Sequence, residues 1–332
     1  STTGRKLFER LLRESALLVD TPNERGVCAH ELSEQELNAI APSLNRLSLR
    51  AFGSGGPKSS IASDDLTVLA SSGLLSLGGY ADNGPVEVAG LQSYLGRSIY
   101  GVVGALMVLI QGLKDGRGRH VEVAAQEVMA GALEDTVAEY DFNGHVRPRM
   151  GGVPRGAGTG TFKCADGYVA MVAGRLGTAK SWVSLVEWLN EVGAVGAEEM
   201  AEPAWSEYSF RASPGPTQRF TEIFEEFAST RTKEDLYEEG QRRKIPIAPV
   251  NSARDVLNSR QLHDRGFFHE LFDPELNVTV TIPGRPYRET ALNGLPFRLT
   301  AVSPEGTIEI LRDSLDITDD ELAMLRNEGA IK

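Results

Sequence analysis

The stretch QSYLGRSIYGVVGALMVLIQGLKDGRGRHVEVAAQEVMAGALEDTVAEY, Gln92 to Tyr140, decides how this 332-residue chain folds. Small and apolar residues alternate from Gln92 to Leu113, which predicts one long buried helix whose small residues allow close packing. Asp115-Gly116-Arg117-Gly118 has turn chemistry, Arg119 to Val123 alternates as a strand, and Ala125 to Tyr140 is helical again. Helix, turn, strand and helix in such close succession form an α/β unit.

The residues on the N-terminal side repeat the pattern. Gly4 to Leu18 has helical spacing and runs into Val19-Asp20-Thr21-Pro22-Asn23, a short strand and turn. Ser33 is an N-cap for a helix with Leu37 and Ile40 on its apolar side, and Leu47 to Phe52 is β-rich and ends at glycines. Strands separated by helices pair in parallel through crossovers, so the fold class is α/β. A helical pattern from Asp64 to Gly79 follows.

Toward the C-terminus, residues 144–161 form a glycine-rich loop, extended and flexible by default, that carries Arg147, Arg149 and Arg155. Thr161-Phe162-Lys163 and Gly167 to Val172 read as a hairpin. Amphipathic helices over Trp182–Leu189, Thr217–Ala228 and Lys233–Arg243, with a break at Ser213-Pro214-Gly215-Pro216, indicate a second, smaller domain. Val278 to Ile282 alternates as a strand, and Thr318 to Arg326 is a capped closing helix.

A net charge of −12 argues against nucleic acid or an acidic membrane surface as partner. The apolar stretch Ile99 to Leu113 is shorter than the ~20 residues of a bilayer span, and the chain is expected to be soluble and cytoplasmic. Cys28 and Cys164 form no C-x-x-C pair, and His30, His120, His145, His263 and His269 fall in no metal-binding spacing, so no metal is assigned. Gly156-Ala157-Gly158-Thr159-Gly160 does not follow a strand and open a helix, which excludes a nicotinamide fingerprint.

Seven strings in order resemble the family III CoA-transferases of the CaiB/BaiF type. They are FGSGGP (Phe52 to Pro57), SSGLLSLGG (Ser71 to Gly79, at the end of the helix centred on Asp65), KDGRGRHVEVAAQEV (Lys114 to Val128), FKCADGYVAM (Phe162 to Met171), KIPIAPVNSARDVLNSRQLHDRGFF (Lys244 to Phe268), PGRPYR (Pro283 to Arg288) and ITDDELAMLRNEGAI (Ile317 to Ile331). The resemblance implies a Rossmann-like large domain over residues 1–175, a smaller α+β domain over 176–289, and a return to the large domain over 290–332, in an interlocked dimer. It also implies coenzyme A thioesters as substrates, with no permanently bound cofactor. In the family an aspartate attacks the acyl-CoA, forms a mixed anhydride and passes CoA to a carboxylic acid, covalent catalysis in two easier steps.

Laid without gaps on Pro85 to Gly104, the family's nucleophile segment puts Tyr94 at the aspartate, and no acid lies between Glu87 and Asp115. A phenol with a pKa of ~10 cannot form an anhydride. The family's first strands and helices precede the point at which Ser1 enters the pattern, and its CoA-contacting asparagine, phenylalanine and arginine fall on Thr21, Pro22 and Ala29.

The candidate catalytic residues are therefore Tyr94, as a donor to a thioester carbonyl or as packing; Gln92, orienting a ligand or capping a turn; and Asp64 and Asp65, a surviving carboxylate pair or helix caps. Arg147, Arg149, Arg155 and Lys58 are candidate phosphate contacts, the arginines otherwise being surface residues, and His145 is an outside candidate for acid–base work. Two functions stay open: an acyl-CoA-processing enzyme without the aspartyl nucleophile, and a non-catalytic half of a paired assembly, in a homodimer or a heterodimer with a related chain. A scaffold that binds carboxylates without CoA is a third class.

Overall fold

The computed structural model describes residues 2–22, 32–175, 177–273, 276–287 and 304–331. Ala29, Cys28 and His30, and the start of the expected C-terminal return up to residue 303, lie outside the described residues. The chain divides into two compact units, Ser1–Arg149 with Thr300–Lys332, and Met150–Leu299. The hairpin of residues 159–172 packs into the second unit's core.

The first unit runs α1 (Thr2–Glu14), β1 (Leu17–Asp20), α2 (Glu34–Ile40), β2 (Asn45–Arg50), α3 (Asp65–Ser71), α4 (Gln92–Asp115), β3 (His120–Ala124), α5 (Ala125–Gly131) and α6 (Thr136–Asn143). β1, β2 and β3 form a parallel sheet in that order, with Leu17 opposite Asn45 and Leu47 opposite Val121. The central strand β2 is buried from Asn45 to Leu49. Its inward polar side chains are matched, Arg46 by Glu34 of α2 at 2.9 Å and Ser48 by His120 at 2.9 Å, as buried polar groups require. Ser33 caps α2 as its sequence signals, in a reciprocal box with Glu36.

α4 lies along β2 and β3. A methyl group at Gly101 would sit 2.8 Å from Leu49 Cδ2, and one at Gly104 would sit 3.0 Å from Val121 Cγ2, so glycine sets this close approach. The helix is long and apolar enough to cross a membrane, yet its glycine side is packed on the sheet. Its other side departs from the expected full burial. Leu95, Ile99, Val102, Leu106, Ile110 and Leu113 form a stripe whose members are each 53–88% exposed. The helix read as continuous from Ala125 to Tyr140 is broken at Glu134, which has a left-handed φ of 52°.

The second unit runs β4 (Thr159–Cys164), β5 (Gly167–Val172), α7 (Ala179–Glu191), α8 (Tyr208–Arg211), α9 (Pro214–Ala228), α10 (Lys233–Arg242), β6 (Ile247–Pro249), α11 (Ala253–Leu257), α12 (Arg260–Asp264), β7 (Phe268–Asp273) and β8 (Val278–Pro283). β4–β5–β6 is an antiparallel sheet, and β7–β8 is a hairpin. The apparent break at Ser213-Pro214 is the start of α9, with proline in its first turn. The core is aromatic: Phe162 meets Phe220 and Phe224 edge-on at 5.5 and 5.2 Å, and Trp182 stacks on Trp205 at 6.0 Å. Arg211, 4% exposed, lies over Trp182 and donates to the carbonyls of Trp205 and Ser206. Finally α13 (Pro304–Leu315) and α14 (Asp319–Asn327), the latter capped by Thr318, pack with Leu7 of α1 in the first unit.

Candidate active site at the carboxyl end of the parallel sheet

In open parallel sheets ligands bind beyond the carboxyl ends of the strands. Here the segment that follows β2, Ala51 to Asp64, occupies that position. It is anchored from β3, where Glu122 Oε1 accepts from the Ser54 amide at 2.8 Å and the Ser54 hydroxyl at 3.1 Å. Glu122 Oε2 lies 2.8 Å from Arg50 Nε at the end of β2. Gly53 turns the chain with φ 84°, a conformation suited to glycine. A small recess among Pro22, Arg50, Phe52, Gly53, Ile61 and Ser63 opens here. Lys58 is exposed on the same segment, its Nζ 5.3 Å from the centroid of the Phe52 ring.

At the far end of this segment the two adjacent acids diverge. Asp64 is the N-cap of α3: its Oδ1 accepts from the Thr67 amide at 3.0 Å and the Thr67 hydroxyl at 2.8 Å, while its own N–H donates to Thr67 Oγ1 at 2.9 Å. Asp65, only 4% exposed, turns to the start of α4. Its Oδ1 accepts from the Ser93 amide at 2.7 Å, the Ser93 hydroxyl at 2.6 Å and, more weakly, the Tyr94 amide at 3.4 Å. Asp65 Oδ2 is buried without a hydrogen-bond partner among the described residues.

Tyr94 is half-buried in the first turn of α4, and the guanidinium carbon of the buried Arg97 lies 4.2 Å from its ring centroid, a cation–π contact within the helix. Gln92 donates to the Ala89 carbonyl at 2.7 Å. The structure thus brings Asp65 and Tyr94 together, with Asp64 alongside.

The arginine candidates have separate surroundings. Arg147 pairs with Glu139 and, at 2.9 Å, with Asp135. Glu139 is held below the usual carboxylate range by His145, at 2.7 Å, and by Arg147. Arg149 donates to the main-chain carbonyls of Asn83 at 2.9 Å, Tyr80 at 3.3 Å and Ser76 at 3.5 Å. Arg155 lies in the second unit, exposed, and its guanidinium meets no acid or carbonyl among the described residues. The loop around it is less open than its glycines suggest, since the Arg155 amide donates to Thr159 O at 2.9 Å and the Thr159 amide to Gly156 O at 3.0 Å. No three His, Cys, Asp or Glu residues among those described are grouped to hold a metal.

Sequence reading missed Arg50, Glu122, Ser93 and Arg97. Opposite charges near the ends of two neighbouring strands, and one arginine in an apolar helix, were signals that could have found three of them. Ser93 carried none.

A family model for CoA-transferase family III matches residues 1–306. The succinyl-CoA:(R)-benzylsuccinate CoA-transferase subunit BbsE of Thauera aromatica is 33% identical over 93% of this chain and 75% of its own. The succinyl-CoA–L-malate CoA-transferase alpha subunit of Chloroflexus aurantiacus is 27% identical over 99% of this chain and 75% of its own. A crystal structure of a CaiB/BaiF family protein from Brucella suis superposes with a TM-score of 0.70 at 25% identity, covering 87% of this chain and 73% of that one. The chain belongs to CoA-transferase family III.

Proposed function

We propose that this chain processes acyl-CoA thioesters as one half of a two-chain CoA-transferase, with the attacking carboxylate supplied by a related partner chain. The observation that carries this reading is the state of the carboxylates around residue 94. The position that matches the family nucleophile is a tyrosine, Asp64 is committed to α3 and Asp65 is buried against α4. An acid already holding amides in a closed site is poorly disposed to attack a thioester. Relatives that are themselves subunits of succinyl-CoA-dependent transferases support the two-chain form.

The exposed stripe on α4 supports an intertwined dimer. An apolar helix face of this length is costly in water, and a second chain of the same fold supplies a matching surface. Lys58, on the segment beyond β2, has a donor to offer the anionic groups of coenzyme A, and Arg155, in the second unit, is a separate candidate contact, while Arg147 and Arg149 hold their own loops. The alternative is an enzyme that acts alone on acyl-CoA without the aspartyl route, by transfer or by isomerisation, elimination or hydration.

Native mass spectrometry of the protein purified from its source separates the two. A complex of this chain with a second, related chain and retained CoA ester is expected. A homodimer that turns over acyl-CoA by itself favours the alternative.

A further inference from the structure

We infer that Asp65 is a positioning residue for the site at residue 94. It acts by capping α4 from outside the helix and so fixing the first turn that carries Tyr94. The inference rests on the reading that acyl-CoA binds at this turn.

α4 begins without a cap of its own. The residue at its N-cap position is Leu91, which has no side-chain acceptor to offer the exposed amides of the first turn. Asp65, 28 positions earlier in the chain, makes good the lack through one oxygen that gathers the Ser93 amide and hydroxyl. Because Ser93 is itself 1% exposed, the bond is shielded from water, where a hydrogen bond is stronger than at the surface.

The consequence is directional. The Ser93 amide is tied at 2.7 Å and the Tyr94 amide leans to the same oxygen at 3.4 Å, so the backbone at residue 94 cannot rotate without breaking the cap. Tyr94 in turn packs against Arg97 one turn on, which makes the orientation of both side chains dependent on Asp65. The neighbouring polar side chain, Gln92, directs its amide N–H to the Ala89 carbonyl, outside the first turn of α4.

If capping is the role, an amide serves as well as a carboxylate, because asparagine keeps an acceptor at the same atom. The test compares Asp65→Asn and Asp65→Ala in the full protein by hydrogen exchange at the Ser93 and Tyr94 amides and by the affinity for coenzyme A. Asp65→Ala is expected to speed exchange at both amides at least tenfold and weaken coenzyme A binding at least tenfold, with Asp65→Asn within threefold of the parent in both. Should Asp65→Ala not fold, Asp65→Leu removes the acceptor while filling the volume and is expected to give the same contrast. Unchanged exchange in the acceptor-free variant overturns the inference. So does an Asp65→Asn protein that keeps amide protection yet loses affinity, since the charge would then act on the ligand directly. A parent protein that binds no coenzyme A defeats the functional reading instead, and the exchange arm still decides the cap.

Discussion

Asp64 and Asp65 are consecutive residues that cap two different helices. Asp64 has extended backbone angles, φ −126° and ψ −178°, and holds Thr67 of its own helix, while Asp65 enters that helix and points away to Ser93 of α4. One pair of acids therefore fixes where α3 begins and where α4 begins, and neither is left as a free base.

The exposed stripe on α4 predicts that Leu106→Glu breaks the assembly. Sedimentation of the parent protein is expected to give a dimer or heterodimer at micromolar concentration, and the variant a monomer or aggregate, because a buried charge without a partner is strongly unfavourable at an interface. An unaltered assembly mass in the variant would mean that this face is not the interface.

The arginines should separate in mutation. Arg149→Ala is expected to speed hydrogen exchange over residues 76–83, whose carbonyls it holds, with coenzyme A affinity changed less than about threefold. Arg155→Ala is expected to weaken affinity about tenfold, the loss of one charge-assisted contact, without moving the melting temperature. The reverse pattern would return Arg149 to the ligand.

Glu36 and Asp115 are two of the carboxylates that tie stability to acid pH. Glu36 is lowered from 4.5 to about 2, first by the Ser33 amide and hydroxyl and then by Arg5, and Asp115 is lowered from 3.8 to about 2, mainly by Arg119. Both folded values lie below the unfolded ones, so the stabilisation is complete above the unfolded values and is lost as pH falls toward 2. Melting curves from pH 6 to ~2 should fall over that window, and Glu36→Gln should flatten part of the slope. An identical slope in the variant would remove Glu36 from the explanation.

Much of the fold was legible because its signals are local. The capping residues Ser33 and Thr318, the turn at Asp115–Gly118 and the hairpin around Gly167 each declare themselves within a few residues. The break at Glu134 was not legible, since a left-handed glutamate has no sequence mark, and Pro214 read as an interruption when it opens α9. The candidate site was half legible. Tyr94 and Asp65 were singled out separately, but the bond that unites their neighbourhoods spans 28 residues and depends on how α3 meets α4. Ser93 is an ordinary serine until that packing exists.

Tyr94→Phe is expected to leave activity of the assembled protein within about tenfold, since removing one neutral hydrogen bond costs ~0.5–1.5 kcal/mol. A thousandfold fall with unchanged melting would make the phenol part of the chemistry.

The most direct measurement is covalent trapping. This chain alone, incubated with short acyl-CoA esters and hydroxylamine and then read by peptide mass spectrometry, is expected to carry no adduct on Asp64, Asp65 or Glu87, whereas a related partner chain added to it is expected to carry one on its own aspartate. A hydroxamate on any of those three residues in the isolated chain would contradict the account, because this chain would then run the carboxylate route by itself.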